Sequence, residues 1–344
     1  MTKFIQLHLL TSYPASNLNR DDLGRPKTVR IGNTERIRIS SQSLKRSWRV
    51  SDLFQESLGE HIGIRTRKIG SELQNKFLSA GIGTKEAFEY ASLIASVFGK
   101  LQSKSVDIEQ IVHISPFEKL AIDSLADIIC TEKRAPSEEE LKLLRHENIA
   151  IDMALFGRML ANKPEHNIEA ACQVAHAFSV HSTLIEDDFF TAVDDLNVGI
   201  DDSGAGHLGE SAFASALFYT YICIDKELLI ENLANNTELA NKAIAALVEA
   251  AVKISPKGKQ NSYASRSYAS FVLAEKGAQQ PRSLSVAFLK SINSDDYLTD
   301  SINILLQQLN SFDEVYGKCS DERYMLNTVT SQGNFSEFIE FIKK

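Results

Sequence analysis

The chain opens on KFIQLHLLT (residues 3–11), where apolar and polar positions alternate with the two-residue period of a strand that has one face in a core. A short extended run at 36–40 (RIRIS) then enters a helix at SSQSLKRSWRVSDLF, for which Ser40 or Ser41 supplies the N-cap. Between about 58 and 170 the spacing turns helical, with EAFEYASLIASVFGKL, PFEKLAIDSLADIICTEKR and PSEEELKLLRHENIAIDMALFGRML in succession. The last of these carries a start signal: Pro136-Ser137 precedes Glu138 to Glu140, so Ser137 caps and the acids sit at the positive end of the dipole. From 171 the pattern becomes strand-like (CQVAHAFSVHSTL), and a polar, loop-rich stretch runs to about 210. FASALFYTYICI is the strongest strand signal, NTELANKAIAALVEAAVKI reads as a helix and YASFVLAEK as a further strand. After the Gln279-Gln280-Pro281 break, two or three helices are expected to close the chain.

Setting the middle insertion aside leaves strand, helix, strand, strand, helix, strand. That is the order of the split β-α-β arrangement of ferredoxin-like folds, which RNA-recognition modules share with many unrelated proteins. The expected class is α+β, with a ferredoxin-like core interrupted by a large helical insertion.

The 344 residues, 43% hydrophobic and 24% charged, are an ordinary globular mix with ample material for a core, which excludes collagen-like and disordered classes. The amino end alternates and carries no cleavage site, so it reads as a strand and not as a signal peptide. No window approaches the roughly 18 consecutive apolar residues of a membrane span, and a soluble protein without a membrane partner is expected. Cys130, Cys172, Cys223 and Cys319 lie far apart without a C-x-x-C pair, which suits reduced thiols and a cytoplasmic location.

Charge changes the picture. The chain carries −8 overall, yet residues 20–50 hold nine cations (Arg20, Arg25, Lys27, Arg30, Arg36, Arg38, Lys45, Arg46, Arg49) against Asp21, Asp22 and Glu35, which is +6 locally. At about 100° per residue, Gln42, Lys45, Arg46 and Arg49 share one outward arc of about 100°, while Leu44 and Trp48 fall on the opposite side. The first helical turn also presents unpaired N–H groups beside the hydroxyls of Ser40 and Ser41, which makes an anion site. Phosphate is the natural ligand: Arg grips it bidentately and Gln42 can hydrogen-bond sugar or phosphate. The plain alternative is a solvated face whose cations meet surface carboxylates.

Other motifs fall away on context. Gly204-Ala-Gly206-His-Leu-Gly209 satisfies G-x-G-x-x-G, with Asp225 downstream, but an acidic stretch precedes it and a strand follows it, the reverse of a dinucleotide site. His176 and His181 are spaced wrongly to share a metal, and the pairs Asp21-Asp22 and Asp194-Asp195 each lack a third ligand. No G-x-S-x-G, Walker A or Cys-His arrangement occurs. Neither catalytic residues, nor a metal, nor a cofactor are expected.

Leu18-Asn19-Arg20-Asp21-Asp22 followed by Arg36-Ile37-Arg38-Ile39-Ser40-Ser41-Gln42-Ser43-Leu44-Lys45-Arg46 resembles the CasC-type backbone subunit of the type I-E CRISPR Cascade surveillance complex. Further stretches agree in order: Phe156-Gly157-Arg158-Met159, Ala175-His176-Ala177, Asp188 to Leu196 (DFFTAVDDL), His207-Leu208-Gly209 and Lys259-Gln260. The match spans residues 1 to about 290. The resemblance implies a non-enzymatic, hand-shaped protein: an RNA-recognition-like palm (1–57, 171–185 and 213–344), helical fingers (58–170) and a thumb (186–212). It implies that copies stack head to tail along a CRISPR RNA, beside other Cascade subunits, and present the guide to a target DNA strand in antiviral defence. By that similarity Arg20, Lys27, Ser40, Gln42, Lys45, Arg46 and Arg49 grip the guide backbone, Met159 and Phe190 wedge against bases with Thr191 beside them, and His207 lies on the thumb's return limb.

The central strands lack the aromatic RNP signature of RNA-recognition relatives, so a backbone grip is expected in place of base stacking on the sheet. Phosphate contacts carry no sequence information, which suits a subunit that must accept any spacer; other RNA-guided effectors divide the labour in the same way. Residues 186–210 contain eight acids and no Lys or Arg, so this segment cannot hold phosphate by charge. The expectation is that Phe190 inserts as an apolar wedge while these acids meet basic groups of the next copy, a heterologous contact that propagates. The enzymatic alternative is a related RNA-cleaving backbone subunit in which an acid such as Asp21 positions Mg²⁺.

Overall fold

A computed structural model describes residues 2–145, 147, 149–192 and 207–344. The chain divides into two compact units, one formed by Met1–Phe54, Val174–Ile224 and Ile244–Lys344, the other by Gln55–Gln173 and Asp225–Ala243.

The first unit is built on one large sheet. Its strands are β1 (Phe4–Ser16), β2 (Thr28–Ile31) and β3 (Thr34–Ile39) in the amino-terminal segment. In the second unit β4 (Ile64–Thr66) pairs with β5 (Val112–Ile114), and β6 (Cys172–Val174) lies where the chain re-enters the first unit. The sheet then receives β7 (Ala177–Ser179), β8 (Glu186–Ala192), β9 (His207–Asp225), β10 (Phe271–Gly277) and β11 (Glu322–Asn327). Spatial order is β11-β10-β1-β9-β7-β3-β2, with β8 also on β9. The β1–β10, β10–β11, β7–β9, β3–β7 and β2–β3 pairings are antiparallel. Helices α1 (Ser41–Arg49), α9 (Gln260–Tyr263), α10 (Tyr297–Tyr316) and α11 (Phe335–Lys343) belong to this unit, while α2 (Asp52–Leu58) and α8 (Thr237–Lys253) cross between the two.

Strand β1 is buried on both sides from Ile5 to Thr11, which the alternation of its sequence does not suggest. Gln6 and His8 on the polar face are tolerated because they are hydrogen-bonded, the Gln6 side-chain oxygen accepting from the Tyr221 hydroxyl (2.8 Å) and the Arg282 N–H (2.9 Å). Leu284 N–H donates to the Tyr219 hydroxyl (3.1 Å), Tyr219 donates to His8 Nδ1 (2.9 Å), and His8 Nε2–H donates to Glu275 (3.1 Å). Glu275 faces Arg323 across the β10–β11 register and also receives Arg282. Burial alone would raise the Glu275 carboxyl, but the His8 and Arg282 hydrogen bonds and charges outweigh it and hold the group well below the usual range. Burial keeps His8 neutral, as the direction of its hydrogen bonds requires. Strand β11 was not foreseen; its six residues, ERYMLN, put two charges before a run of Tyr, Met and Leu without a two-residue alternation, and form an edge strand between α10 and α11.

The second unit comprises α3 (Ile69–Ser79), α4 (Thr84–Ser96), α5 (Pro116–Glu132), α6 (Ile151–Phe156) and α7 (Lys226–Asn232), with Phe77, Ile94, Ile122 and Ile129 in its core. The helix expected from Ser137 onward does not form. Ser137 and Glu140 make the reciprocal bonds of a capping box, but Arg134 chelates the Glu140 carboxylate (2.8 and 2.7 Å), and a single turn follows. Leu143 is buried in the core immediately afterwards. Among the described residues no helix is long and apolar enough to cross a membrane.

Replacing Glu275 with Gln would leave Arg282 and Arg323 without their shared counter-charge, and a loss of about 3–5 kcal/mol is expected in urea unfolding. His8 has its proton affinity lowered by folding from an ordinary value of 6.5, and Glu275 from 4.5. Both therefore bind protons more readily in the unfolded chain, so stability is full above pH 6.5 and declines as pH falls below it, more steeply below 4.5. A urea midpoint that stays flat from about pH 7 to about pH 4.5 would contradict this.

Candidate nucleic-acid interface

The site is organised around the start of α1. Ser40 is its N-cap, extended in backbone, and its hydroxyl accepts the Ser43 N–H at 3.3 Å. The Ser40 N–H in turn donates to the Asn19 side chain (2.8 Å), which ties the cap to the loop after β1. That loop is a closed turn: Arg20 bridges Pro26, and Lys27 N–H donates to Asn19 O at 2.9 Å. Asp21 Oδ1 accepts from the N–H groups of both Leu23 and Arg25, each at 2.9 Å. Buried Asn17 pins the loop from beneath, donating to Gly24 O (2.9 Å) and Ala212 O (2.8 Å).

Between this loop and α1 lies an open pocket of about 630 Å³, lined by Leu18, Asn19, Arg20, Asp21, Asp22, Gly24, Ser43, Arg46, Ser47, Val50, Lys257 and Gly258. Arg20 and Arg46 meet here although they are far apart in sequence. Lys257 joins them from the loop after α8, a residue not singled out from the sequence although Lys259 and Gln260, two and three positions on, were. The signal was a glycine: a Cβ on Gly258 would stand 2.2 Å from Leu18 O, so only glycine lets this loop press against the β1 loop. Among the described residues neither Arg20, Arg46 nor Lys257 has an ion-pair partner, although Asp21 and Asp22 line the same pocket.

The remaining cations divide into kinds. Arg36 is wholly buried and structural, donating to Thr34 Oγ1 (2.7 Å), Ser179 O (2.8 Å) and Phe288 O (3.2 Å). Arg49, expected on the outward arc of α1, is 8% exposed because the last turn of the helix is covered; Gln42 and Arg46 are exposed, Lys45 is half-buried, and Leu44 and Trp48 are buried as expected. Arg25 is paired with Asp187 on β8 at 2.8 Å. Arg38 donates to Thr28 O (3.0 Å) and to His176 Nδ1 (3.0 Å). Slight burial and then the charges of Arg38 and Lys27 push His176 below its ordinary value, so it sits neutral in a positive field.

Met159 belongs to the second unit and is 85% exposed. The preceding residues explain its display. Gly157 ends α6 at φ +81°, and Arg158 is buried with two bonds to Glu118 (2.8 and 2.9 Å) within the capping box of α5. Phe190 and Thr191 lie on β8, exposed on both faces; the Phe190 ring, 46% exposed, covers its cross-strand partner Gly209, where a Cβ would come within 2.3 Å of it. The His207 side chain and the acids Asp194, Asp195, Asp201 and Asp202 lie outside the described residues. Among the described residues no group of three His, Cys, Asp or Glu side chains could hold a metal ion, and the Asp21 oxygen identified above is engaged in its turn.

This mixed α+β architecture is that of subunits from CRISPR surveillance complexes. A solved chain described as "CRISPR RNA-guided surveillance complex, pre-nicking" is similar at 28% identity and a TM-score of 0.85, covering 99% of each chain. A second, described as "CRISPR RNA-guided surveillance complex", shares the fold at 22% identity and a TM-score of 0.74, again over 99% of both. The chain belongs to the family described as CT1975-like protein, whose model matches residues 5–340. No curated protein sequence matches it. These findings bear out the resemblance to CasC-type backbone subunits of Cascade.

Gly258→Ala is expected to force the Lys257 loop away from Leu18 O and to lower stability by about 1–3 kcal/mol, read as a shifted urea midpoint. An unchanged midpoint would mean that the loop is not held against β1.

Proposed function

We propose that this chain is a CRISPR RNA-binding backbone subunit of Cascade that acts by binding and not by catalysis. Copies assemble head to tail along the guide in the cytoplasm, hold its phosphates without reading its sequence, and present the bases for pairing with a target DNA strand. The observation that carries the reading is the pocket in which Arg20, Arg46 and Lys257 stand together with no ion-pair partner among the described residues, although Asp21 and Asp22 line it too. A solvated face would have paired them with the adjacent acids. The first-turn N–H groups of α1, which no intrahelical carbonyl can meet, add to the positive potential there.

The palm reading draws on topology. Strands β1, β7, β9 and β10 with helices α1 and α8 follow the strand, helix, strand, strand, helix, strand order, and their spatial order β10-β1-β9-β7 is compatible with a split β-α-β core. Lys27, Ser40, Gln42, Lys45 and Arg49 flank the pocket as further groups of the grip; Ser40 and Arg49, being nearly buried, serve to hold the cap and the last turn of α1. Met159, Phe190 and Thr191 are displayed as apolar and hydroxyl contacts for bases, with His207 on the return strand.

A subunit that neutralises about four phosphates gives a slope near −3 in log affinity against log salt on single-stranded RNA. Arg46→Ala is expected to reduce the magnitude of that slope by about 0.7 and to weaken binding equally on guides of unrelated sequence. Fluorescence anisotropy across a salt series reads both quantities. An unchanged slope, or a loss confined to certain sequences, would contradict a phosphate grip at this pocket.

A further inference from the structure

The pocket contains a group that a pure phosphate site would not tolerate. Asp22 lines it together with Arg20, Arg46 and Lys257, and repulsion between its carboxylate and a phosphate opposes binding. Asp21 differs, because its carboxylate closes the turn at Leu23 and Arg25. Among the described residues the Asp22 carboxylate has no hydrogen-bond or ion-pair partner, and neither does the Ser43 hydroxyl on the α1 side of the pocket. The cations do not take up Asp22, so its oxygens remain available to a ligand.

A carboxylate only accepts hydrogen bonds. The backbone of a single-stranded polynucleotide is almost all acceptor: phosphodiester and ring oxygens have no proton to give. Its single donor is the ribose 2′-hydroxyl, which DNA lacks. Base amino groups also donate, but their positions change with sequence, and a site that serves any guide cannot depend on them. Building on the guide-backbone reading above, we propose that Asp22 accepts a hydrogen bond from a ribose 2′-hydroxyl while Arg20, Arg46 and Lys257 hold the neighbouring phosphates, with the Ser43 hydroxyl as a second sugar contact. The carboxylate then makes the groove selective for RNA over DNA. It lowers affinity for every strand by repulsion, and only where a 2′-hydroxyl is present does the hydrogen bond it accepts more than make up that loss.

The test measures binding of the full-length chain to one sequence as RNA, as DNA and as 2′-O-methyl RNA, with and without Mg²⁺. The native chain should prefer RNA to both others. Asp22→Ala should weaken RNA binding by about tenfold, the scale of a hydrogen bond to a charged group, and leave the other two strands unchanged or bound more tightly. Asp22→Asn, which keeps a carbonyl acceptor, should retain most of the preference. Tighter binding of all three strands in Asp22→Ala would make the carboxylate a repulsive charge and nothing more, and would overturn the proposal. Equal weakening of RNA and DNA that appears only with Mg²⁺ would assign Asp22 to a bridging cation and would overturn it too. Arg46→Ala separates the two levels of inference. If it leaves RNA binding intact, the phosphate-grip reading falls with the proposal; if it weakens every strand while Asp22→Ala leaves the RNA-to-DNA ratio unchanged, the proposal alone falls.

Discussion

Positive charge that stays unpaired beside carboxylates governs the pocket between the β1 loop and α1. Carboxylates outnumber cations in this chain, so the default fate of any exposed guanidinium is an ion pair. Keeping Arg20, Arg46 and Lys257 unpaired requires that the nearest acids be committed elsewhere or held apart. Asp21 is committed to its own turn, and Asp187 is taken by Arg25. The Asn17 and Asn19 side chains then fix the loop, and with it the placement of Arg20, by hydrogen bonds that involve no charge.

Elsewhere the cations do the reverse. Arg282 and Arg323 converge on Glu275, Arg158 on Glu118, and Arg36 on backbone carbonyls, all with buried partners or in full burial themselves. These groups specify packing: Arg158, for example, anchors the turn that displays Met159. The distinction between a structural and a ligand-facing arginine is therefore one of counter-charge and burial, not of position in a basic stretch. Arg36 and Arg46 lie ten residues apart in the same run, yet Arg36 is buried and bonded to backbone carbonyls while Arg46 is exposed with no ion-pair partner among the described residues.

Much of this could be seen in the sequence. The strand signals at β1, β9 and β10, the helix α1 with its Ser40 cap, and the apolar side of that helix at Leu44 and Trp48 follow from periodicity and cap chemistry, which are local. What was not legible depends on contacts distant in sequence. The burial of Gln6 and His8 rests on Tyr219, Tyr221, Glu275 and Arg282, all more than 200 residues away. The burial of Arg49 and the arrival of Lys257 beside Arg20 are of the same kind, since a helical wheel has no knowledge of what covers a face. The single turn after Ser137 shows a correct local signal overridden, because Arg134 takes the capping carboxylate and the core takes Leu143.

The proposed function routes a nucleic-acid backbone through the pocket between the β1 loop and α1. Cross-linking of bound guide RNA to the chain, followed by peptide mapping by mass spectrometry, tests it most directly. The account predicts cross-links on the peptides that carry Arg20, Arg46 and Lys257. Cross-links confined to the second unit or to β8 and β9, with those three peptides unmarked, would contradict it.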